Sequence, residues 1–198
     1  RIAFAPTFTE TEDGFLEAPF FDNRVGCFLL CELQKNLAEN CPYNISFAVT
    51  AAEEFTGFGA DVLANHLQAD LVICLDATYT SEEQEVFHNK GPVLTLSDKS
   101  ILVGSKNKKL LEEYCRKWKL PLQSEVYNFS GTDARAFPQA GNLAIILPLL
   151  IPSEGNHSPI EKIAKKDLEN TAKMLMKIST EEKLVQNFQK NSFIISDN

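Results

Sequence analysis

The chain has 198 residues, 44% of them hydrophobic, and a formal charge of −8 at pH 7, a composition that suits one domain with a sizeable core. Its acidic balance repels a phosphate backbone and no Lys/Arg stripe compensates for it, so nucleic acid is excluded as a partner. The five cysteines form no CxxC pair and no apolar stretch approaches the roughly 18 residues of a membrane helix, so we expect a cytoplasmic protein with reduced thiols and no membrane partner.

The first half of the chain alternates helix-like and strand-like segments. Apolar residues recur at helical spacing over residues 22–37, and a strand is predicted at 45–50. An amphipathic helix follows at 59–67. A short, fully apolar strand is predicted at 71–75, with Asp76 directly after it.

The second half continues this alternation, which indicates a mixed and largely parallel sheet. Ser158, Pro159 and Glu161 match a capping box with proline at the first helical position, so a helix is predicted to begin at Pro159. The predicted elements are short strands at 86–88 and 92–96 forming an edge ribbon, a helix at 107–118, a strand at 123–127, a short helix from 131, a strand at 143–150, and helices at 159–178 and 181–190.

Polar residues cluster where the predicted strands end. Ligands of open α/β sheets bind beyond the carboxyl ends of the strands, so these residues are expected to converge. A set of one histidine and several carboxylates suits zinc, cobalt or manganese, and three or more acids in one place would repel one another without a cation. The set comprises Asp22, Glu53, Glu54, Asp76, Gly131, Thr132, Asp133 and His157.

Each of these residues also has a purely structural explanation. Asp22 could cap a helix, and Asp76 could close an Asx turn. The pair Glu53 and Glu54 could complement a helix dipole, and His157 could be an ordinary surface residue. Their joint occurrence favours a functional site.

The motifs that carry these residues occur in one particular order, and Gly131-Thr-Asp-Ala with His157-Ser-Pro-Ile-Glu is the most diagnostic pair. Over about residues 18–178 the chain resembles the dinuclear metallo-aminopeptidases of the glutamyl and tetrahedral aminopeptidase family. The resemblance implies a three-layer, zinc-peptidase-like α/β domain with helices on both faces of the sheet. The other motifs are Phe21-Asp-Asn-Arg-Val-Gly, Glu53-Glu with Gly57-Phe-Gly-Ala, Asp76-Ala-Thr and Gly91-Pro.

The same resemblance implies a role for each residue. Asp22 would bridge two divalent ions, zinc first with cobalt or manganese as alternatives. Glu54 and His157 would complete the shell of one ion, and Asp76 would serve the other. Glu53 would be the general base for a metal-bridging water that attacks an N-terminal peptide bond.

Further details follow from the family pattern. The peptide bond between Asp22 and Asn23 is expected to be cis. The residue types themselves, independently of the family, indicate that Thr132 or Asp133 could orient His157 or the substrate from behind the metal ligands. The substrates would be peptides, and the full-length protein could form a homo-oligomer.

Two features depart from the family pattern. The family's His-x-Asp motif has no counterpart before Asp22, so residues 1–198 are expected to be one catalytic domain that lacks its N-terminal portion and any inserted dimerisation domain. The half-site around Asp76 would then be depleted, and the fragment alone inactive. Residues 153–156 replace an Arg-Tyr pair, which predicts a pocket wall that disfavours acidic substrates.

Two alternatives remain open from the sequence. The missing histidine and the altered loop would also fit a degenerate homologue that serves as a binding or assembly module. A deacylase or carboxypeptidase-like hydrolase could use the same scaffold, although the ordered motifs disfavour it.

Overall fold

Seven strands pair into one mixed sheet in the computed structural model, which describes residues 7–37, 41–99 and 101–192. The strands are β1 (Thr9–Glu10), β2 (Phe15–Ala18), β3 (Leu71–Tyr79), β4 (Val93–Ser97), β5 (Gln123–Val126), β6 (Ile145–Glu154) and β7 (Glu161–Ala164). The helices are α1 (Phe21–Asn36), α2 (Phe58–His66), α3 (Ser105–Trp118), α4 (Ala136–Gln139), α5 (Lys165–Thr180) and α6 (Leu184–Ser192), with a 3-10 turn at Asp133–Arg135.

The long strand β6 organises the sheet. The strands run in the order β1-β2-β7-β6-β4-β5, and β3 also pairs with β6. The β3–β6 ladder is parallel and extends from Leu71 opposite Ile145 to Tyr79 opposite Ser153. The pairing of β4 with β5 is also parallel, and the remaining pairings are antiparallel. The mixed sheet predicted from the sequence is confirmed.

Alternation of side chains along β3 and β6 separates the two faces of the sheet. Leu71, Ile73 and Leu75 pack with the core cluster that includes residues of α1, α3, α5 and α6. Val72 packs with a second cluster built from α2 and α4. Because side chains of a strand alternate with period two, Asp76 shares the face of Val72. Helices therefore cover both faces, as expected, and Asp76 lies on the α2/α4 side.

The prediction that a helix begins at Pro159 is wrong. Residues 161–164 form β7, and α5 begins only at Lys165. Ile163 and Ala164 are fully buried and lie opposite Leu16 and Phe15 of β2. Pairing with a distant strand and burial of apolar side chains therefore override the local capping pattern.

Three further predictions need correction. Residues 45–50 form no strand ladder with any described residue. The predicted strand therefore lacks the partner that its backbone hydrogen bonds would require. Strand β3 continues to Tyr79, so Asp76 lies inside the strand and not after it. Strand β4 lies between β5 and β6, with Val93 and Leu94 completely buried, and is not an edge ribbon.

The remaining elements agree with the sequence predictions to within a few residues, apart from the segment 86–88. There, Val86 makes only an isolated bridge to Ser81. All five cysteines are free: Cys115 is buried, Cys31 is exposed, and Cys27, Cys41 and Cys74 are half-buried. Among the described residues, no helix has the length and apolar character needed to cross a bilayer.

A buried carboxylate links the strand that carries Asp76 to its neighbours. Glu125 of β5 is 3% exposed and accepts hydrogen bonds from Thr78 Oγ1 at 2.9 Å and Thr95 Oγ1 at 2.7 Å. Burial raises the pKa of the Glu125 carboxyl, and the two threonine hydrogen bonds oppose that increase. The ionised form is therefore less favourable in the folded state than in the unfolded chain.

Glu125→Gln tests this description through the pH dependence of stability. A carboxyl whose pKa is raised on folding stabilises the folded state below its ordinary pKa, and this contribution is lost as pH rises through the raised value. We expect the free energy of unfolding of the wild type to fall relative to Glu125→Gln as pH rises from about 4.5. Urea unfolding at a series of pH values measures the difference.

Thr95→Val provides the matched comparison. This variant keeps the side-chain shape but removes one hydroxyl donor to Glu125, so the pKa of Glu125 should rise further and the loss of stability should extend to higher pH. Curves for wild type and Glu125→Gln that stay parallel throughout this pH range would contradict the burial argument.

Candidate metal centre

Asp22 lies at an irregular start of α1 that is attached to β3. Asp22 and Asn23 depart from helical dihedral angles, and the peptide bond between them is cis, as the family resemblance implied. Asn23 Nδ2 donates to the Leu75 carbonyl at 2.6 Å, and Asn23 Oδ1 accepts the Gly26 N–H at 3.0 Å. A Cβ at Gly26 would collide with the Asn23 side chain. These contacts place Asp22 beside the part of β3 that carries Asp76.

Three predicted ligands converge on one point. His157 Nε2 lies 3.0 Å from Asp22 Oδ2 and 3.4 Å from Glu54 Oε2. One ligand atom from each of the three residues lies within 4.8 Å of the other two. One imidazole nitrogen and two carboxylate oxygens form a donor set that fits a divalent cation such as zinc.

A buried glutamate binds the backbone of two of these candidate ligands. Glu161 of β7 is 1% exposed. Its Oε2 accepts the N–H of Asp22 at 2.8 Å, and its Oε1 accepts the N–H of His157 at 3.0 Å. One carboxylate thus joins the start of α1 to the loop after β6. The sequence interpretation missed this role because it assigned Glu161 to a helix cap, although the alternation of Glu161 and Ile163 with Lys162 also fits a strand with one buried face.

Asp76 lies beside this cluster but outside the group of three. Its carboxylate accepts the Ala77 N–H at 2.9 Å. Burial, followed by the negative charge of Asp22, raises the pKa of Asp76 well above its ordinary value, and Asp22 also hydrogen-bonds to it. Because Asp76 lies within β3, the Asx-turn explanation does not apply. Two carboxylates share this corner of the cleft.

Glu53 lies in the turn before α2, close to the ligands. Burial raises its pKa first, and the negative charge of Asp133 adds to this, whereas the positive charge of Arg135 opposes it. Asp133 accepts a short hydrogen bond from Thr50 Oγ1, and its other oxygen is buried without a hydrogen-bond partner among the described residues. No hydrogen bond between Asp133 and His157 is found within the described ranges. Asp133 therefore acts on Glu53 through its negative charge.

One cleft of about 460 Å³ is lined by Asp22, Glu53, Glu54, Asp76 and His157. Gly131 and Thr132 form part of its wall, where Thr132 Oγ1 also accepts the N–H of Ala134. The loop after β6 closes another side, because Ser153 Oγ donates to Asn156 Oδ1 at 2.6 Å. Aromatic side chains line the rest of the cleft, namely Phe55, Tyr79, Tyr127 and Phe129. A cleft with carboxylates, an imidazole and aromatic walls suits a peptide better than a purely ionic ligand.

Comparison with known proteins gives a consistent result. The family model of the M42 glutamyl aminopeptidases matches residues 1–174. A relative from Acetivibrio thermocellus is 29% identical over 160 residues, which are 78% of this chain and 48% of the relative. The TET1 peptidase of Pyrococcus horikoshii, whose structures show assembly into a tetrahedron or a large octahedral shell, is 26% identical with a TM-score of 0.82, covering 89% of this chain and 53% of that one.

The fold is also shared with more distant proteins. An aminopeptidase from the archaeon Desulfurococcus kamchatkensis superposes with a TM-score of 0.84 at 21% identity, covering 96% of this chain and 56% of that one. This chain spans about half the length of the curated relatives it matches.

Glu161→Gln tests the positioning of the metal ligands. A glutamine offers one acceptor oxygen, so only one of the two N–H groups can keep its hydrogen bond. We expect zinc affinity to fall by roughly 10- to 100-fold, the usual cost of losing a group that orients metal ligands. Zinc titration with a competing chelator measures the change. Glu154→Gln, which removes an exposed carboxylate at the end of β6, should bind zinc like the wild type. Equal affinity in both variants would refute the role of Glu161.

Proposed function

Because the chain belongs to the M42 glutamyl aminopeptidase family, we propose that the protein is a metal-dependent aminopeptidase that removes N-terminal residues from peptides. The observation that carries this proposal is the convergence of Asp22, Glu54 and His157 within 4.8 Å, next to Glu53 in one cleft. Such a cleft contains both the ligands for a divalent cation and a separate carboxylate for proton transfer.

We propose two divalent cations as cofactors. Asp22, Glu54 and His157 would hold one, and Asp76 together with Asp22 would hold the other. The donor set fits, because imidazole and carboxylate ligands accept zinc and also cobalt or manganese. When bound, the cations supply the Lewis acidity that activates a water and polarises the scissile carbonyl.

The chain's own residues account for the movement of the proton. Glu53 accepts a proton from the attacking water and transfers it to the nitrogen of the departing amine. The raised pKa of the Glu53 carboxyl suits this task, because a base whose pKa lies nearer the working pH can both accept and return a proton. The N–H groups bound to Glu161 keep Asp22 and His157 in place while this happens.

Substrate binding uses the rest of the cleft. The carboxylates around Glu53 favour the positive α-ammonium group of a peptide's N-terminus. The aromatic wall of Tyr79, Tyr127 and Phe129 offers contact area to the first side chain.

Assembly and location are part of the same proposal. The P. horikoshii TET1 peptidase forms closed shells, and we propose that this protein likewise forms a homo-oligomer. A cytoplasmic location fits the five free cysteines. The alternative of a degenerate binding module, raised by the missing histidine, is less favoured because Glu53 and three ligands are retained together in the cleft.

Glu53→Gln tests the general base. Glutamine keeps the size of the side chain but cannot accept a proton, so we expect kcat/KM on a panel of aminoacyl amides to fall by roughly 10²- to 10⁴-fold. Metal content, measured by atomic emission, should stay at the wild-type level because Glu53 is not a ligand. Glu83→Gln, which changes an exposed turn residue that does not line the cleft, serves as the control. Wild-type turnover by Glu53→Gln would refute the assignment.

Metal removal tests the cofactor proposal in the full-length protein. We expect two bound ions per chain, loss of activity on dialysis against a chelator, and recovery on addition of zinc. Asp76→Asn should reduce the bound metal to one ion, because an amide is a much weaker ligand than a carboxylate. Two tightly bound ions in Asp76→Asn would exclude Asp76 from the site.

A further inference from the structure

Arg135 brings a positive charge into a cleft otherwise rich in carboxylates. It belongs to the turn after Thr132 and lines the cleft together with Glu53. Apart from His157, it is the only cationic residue among the residues that line the cleft. Its side chain is half-buried, so part of the guanidinium has lost contact with bulk water.

The guanidinium of Arg135 lies against the backbone at Gly57. At Gly57, the residue before α2, an added Cβ would lie 2.7 Å from Arg135 Nη2 and 3.4 Å from Arg135 Cζ. Gly57 has a φ of 66°, and its N–H is bound to the carbonyl of Ala52. Gly57 has no side chain, which leaves room for the guanidinium beside the turn that carries Glu53.

The guanidinium nevertheless makes no hydrogen bond or ion pair with any described residue of the chain. Polar groups that lose water normally find a partner, and a guanidinium presents a planar fork of N–H donors that matches a carboxylate. The neighbouring carboxylates do not fill this role, since none of those described lies within 4.0 Å of the guanidinium nitrogens. The donors of Arg135 therefore remain available to a ligand in the cleft.

We propose that Arg135 is a specificity residue that binds a carboxylate group of the peptide substrate. The inference rests on the proposed peptidase function and adds a preference to it. Since Glu53 must reach both the attacking water and the departing amine, a cation beside Glu53 lies close to the bond that is cleaved. A substrate can present a carboxylate there from two sources, the C-terminus of a short peptide or the side chain of an acidic N-terminal residue.

This arrangement also modifies the expectation from the sequence. Residues 153–156 contain no basic side chain. Their sequence therefore predicted a cleft that discriminates against acidic substrates. Arg135 provides a cation from a different element, on the side of α2. The positive charge that the loop at residues 153–156 lacks is thereby supplied by Arg135 from another wall of the cleft.

Binding of matched ligands tests the proposal without relying on turnover. Two ligand pairs are titrated by calorimetry into full-length protein carrying Glu53→Gln, so that peptides are not consumed. Leu-Gly and Leu-Gly-amide differ only in the C-terminal carboxylate, and Glu-amide and Gln-amide differ only in the side-chain carboxylate. We expect at least one carboxylate ligand to bind on the order of tenfold more tightly than its amide partner.

The Arg135 variants then identify the cause of the preference. Adding Arg135→Gln should bring that ratio close to one, and Arg135→Lys should restore part of it because charge returns without the planar fork. Arg116→Gln, an exposed arginine on α3, should leave the ratio unchanged. Because each ratio compares two ligands on the same protein, any general loss of folding or metal affects both members and cancels.

The outcomes separate the two proposals. A preference in the Leu-Gly pair alone assigns Arg135 to the C-terminus of a short peptide, and a preference in the Glu-amide pair alone assigns it to an acidic N-terminal residue. Ratios near one in both pairs, or a ratio that survives Arg135→Gln, would overturn the inference. Absence of hydrolysis by metal-loaded protein with intact Glu53 would refute the aminopeptidase function, while the binding ratios would still decide the role of Arg135.

Discussion

The buried carboxylate of Glu161 is the contact on which the candidate metal centre depends. Burying a carboxylate is costly unless its oxygens receive hydrogen bonds. The two donors here are the backbone N–H groups of Asp22 and His157, which come from opposite ends of the chain. Satisfying the buried charge and positioning two ligands are therefore one and the same interaction. The sheet supplies the rigid support, because Glu161 belongs to β7, between β2 and β6.

The second constraint is the alternation of side chains along β3. Leu71, Ile73 and Leu75 lie on the face of β3 opposite Asp76 and pack in the larger core. Val72 lies on the same face as Asp76 and packs against α2 and α4. Asn23 ties the start of α1 to the carbonyl of Leu75, directly before Asp76 in the chain. The carboxylates of Asp22 and Asp76 consequently meet although they come from different elements. Burial, followed by the repulsion from Asp22, raises the pKa of Asp76, a cost that a bound cation would relieve.

The cleft combines this negative charge with a single guanidinium. Burial, followed by the negative charges of Asp133 and neighbouring carboxylates, raises the pKa of Glu53, and Arg135 lowers it. The same cation packs over Gly57, where no side chain blocks it. Under the proposed function, a peptide in this cleft would meet separate regions for its ammonium group, its apolar side chain and a carboxylate.

The sequence by itself determined the α/β class and most helices, and it identified the candidate ligand types, because periodic apolar spacing and motif order are local properties of the chain. It also identified Asp22, Glu54 and His157, which the fold brings together. Only the tertiary structure decided that residues 161–164 form a strand: a helix cap contributes about 1 kcal/mol, whereas burying a side chain such as Ile163 contributes roughly 1.5–3 kcal/mol. The role of Glu161 as a bridge and the place of Arg135 beside Gly57 were likewise decided by the tertiary structure. Both depend on contacts between segments far apart in sequence, which local spacing does not encode.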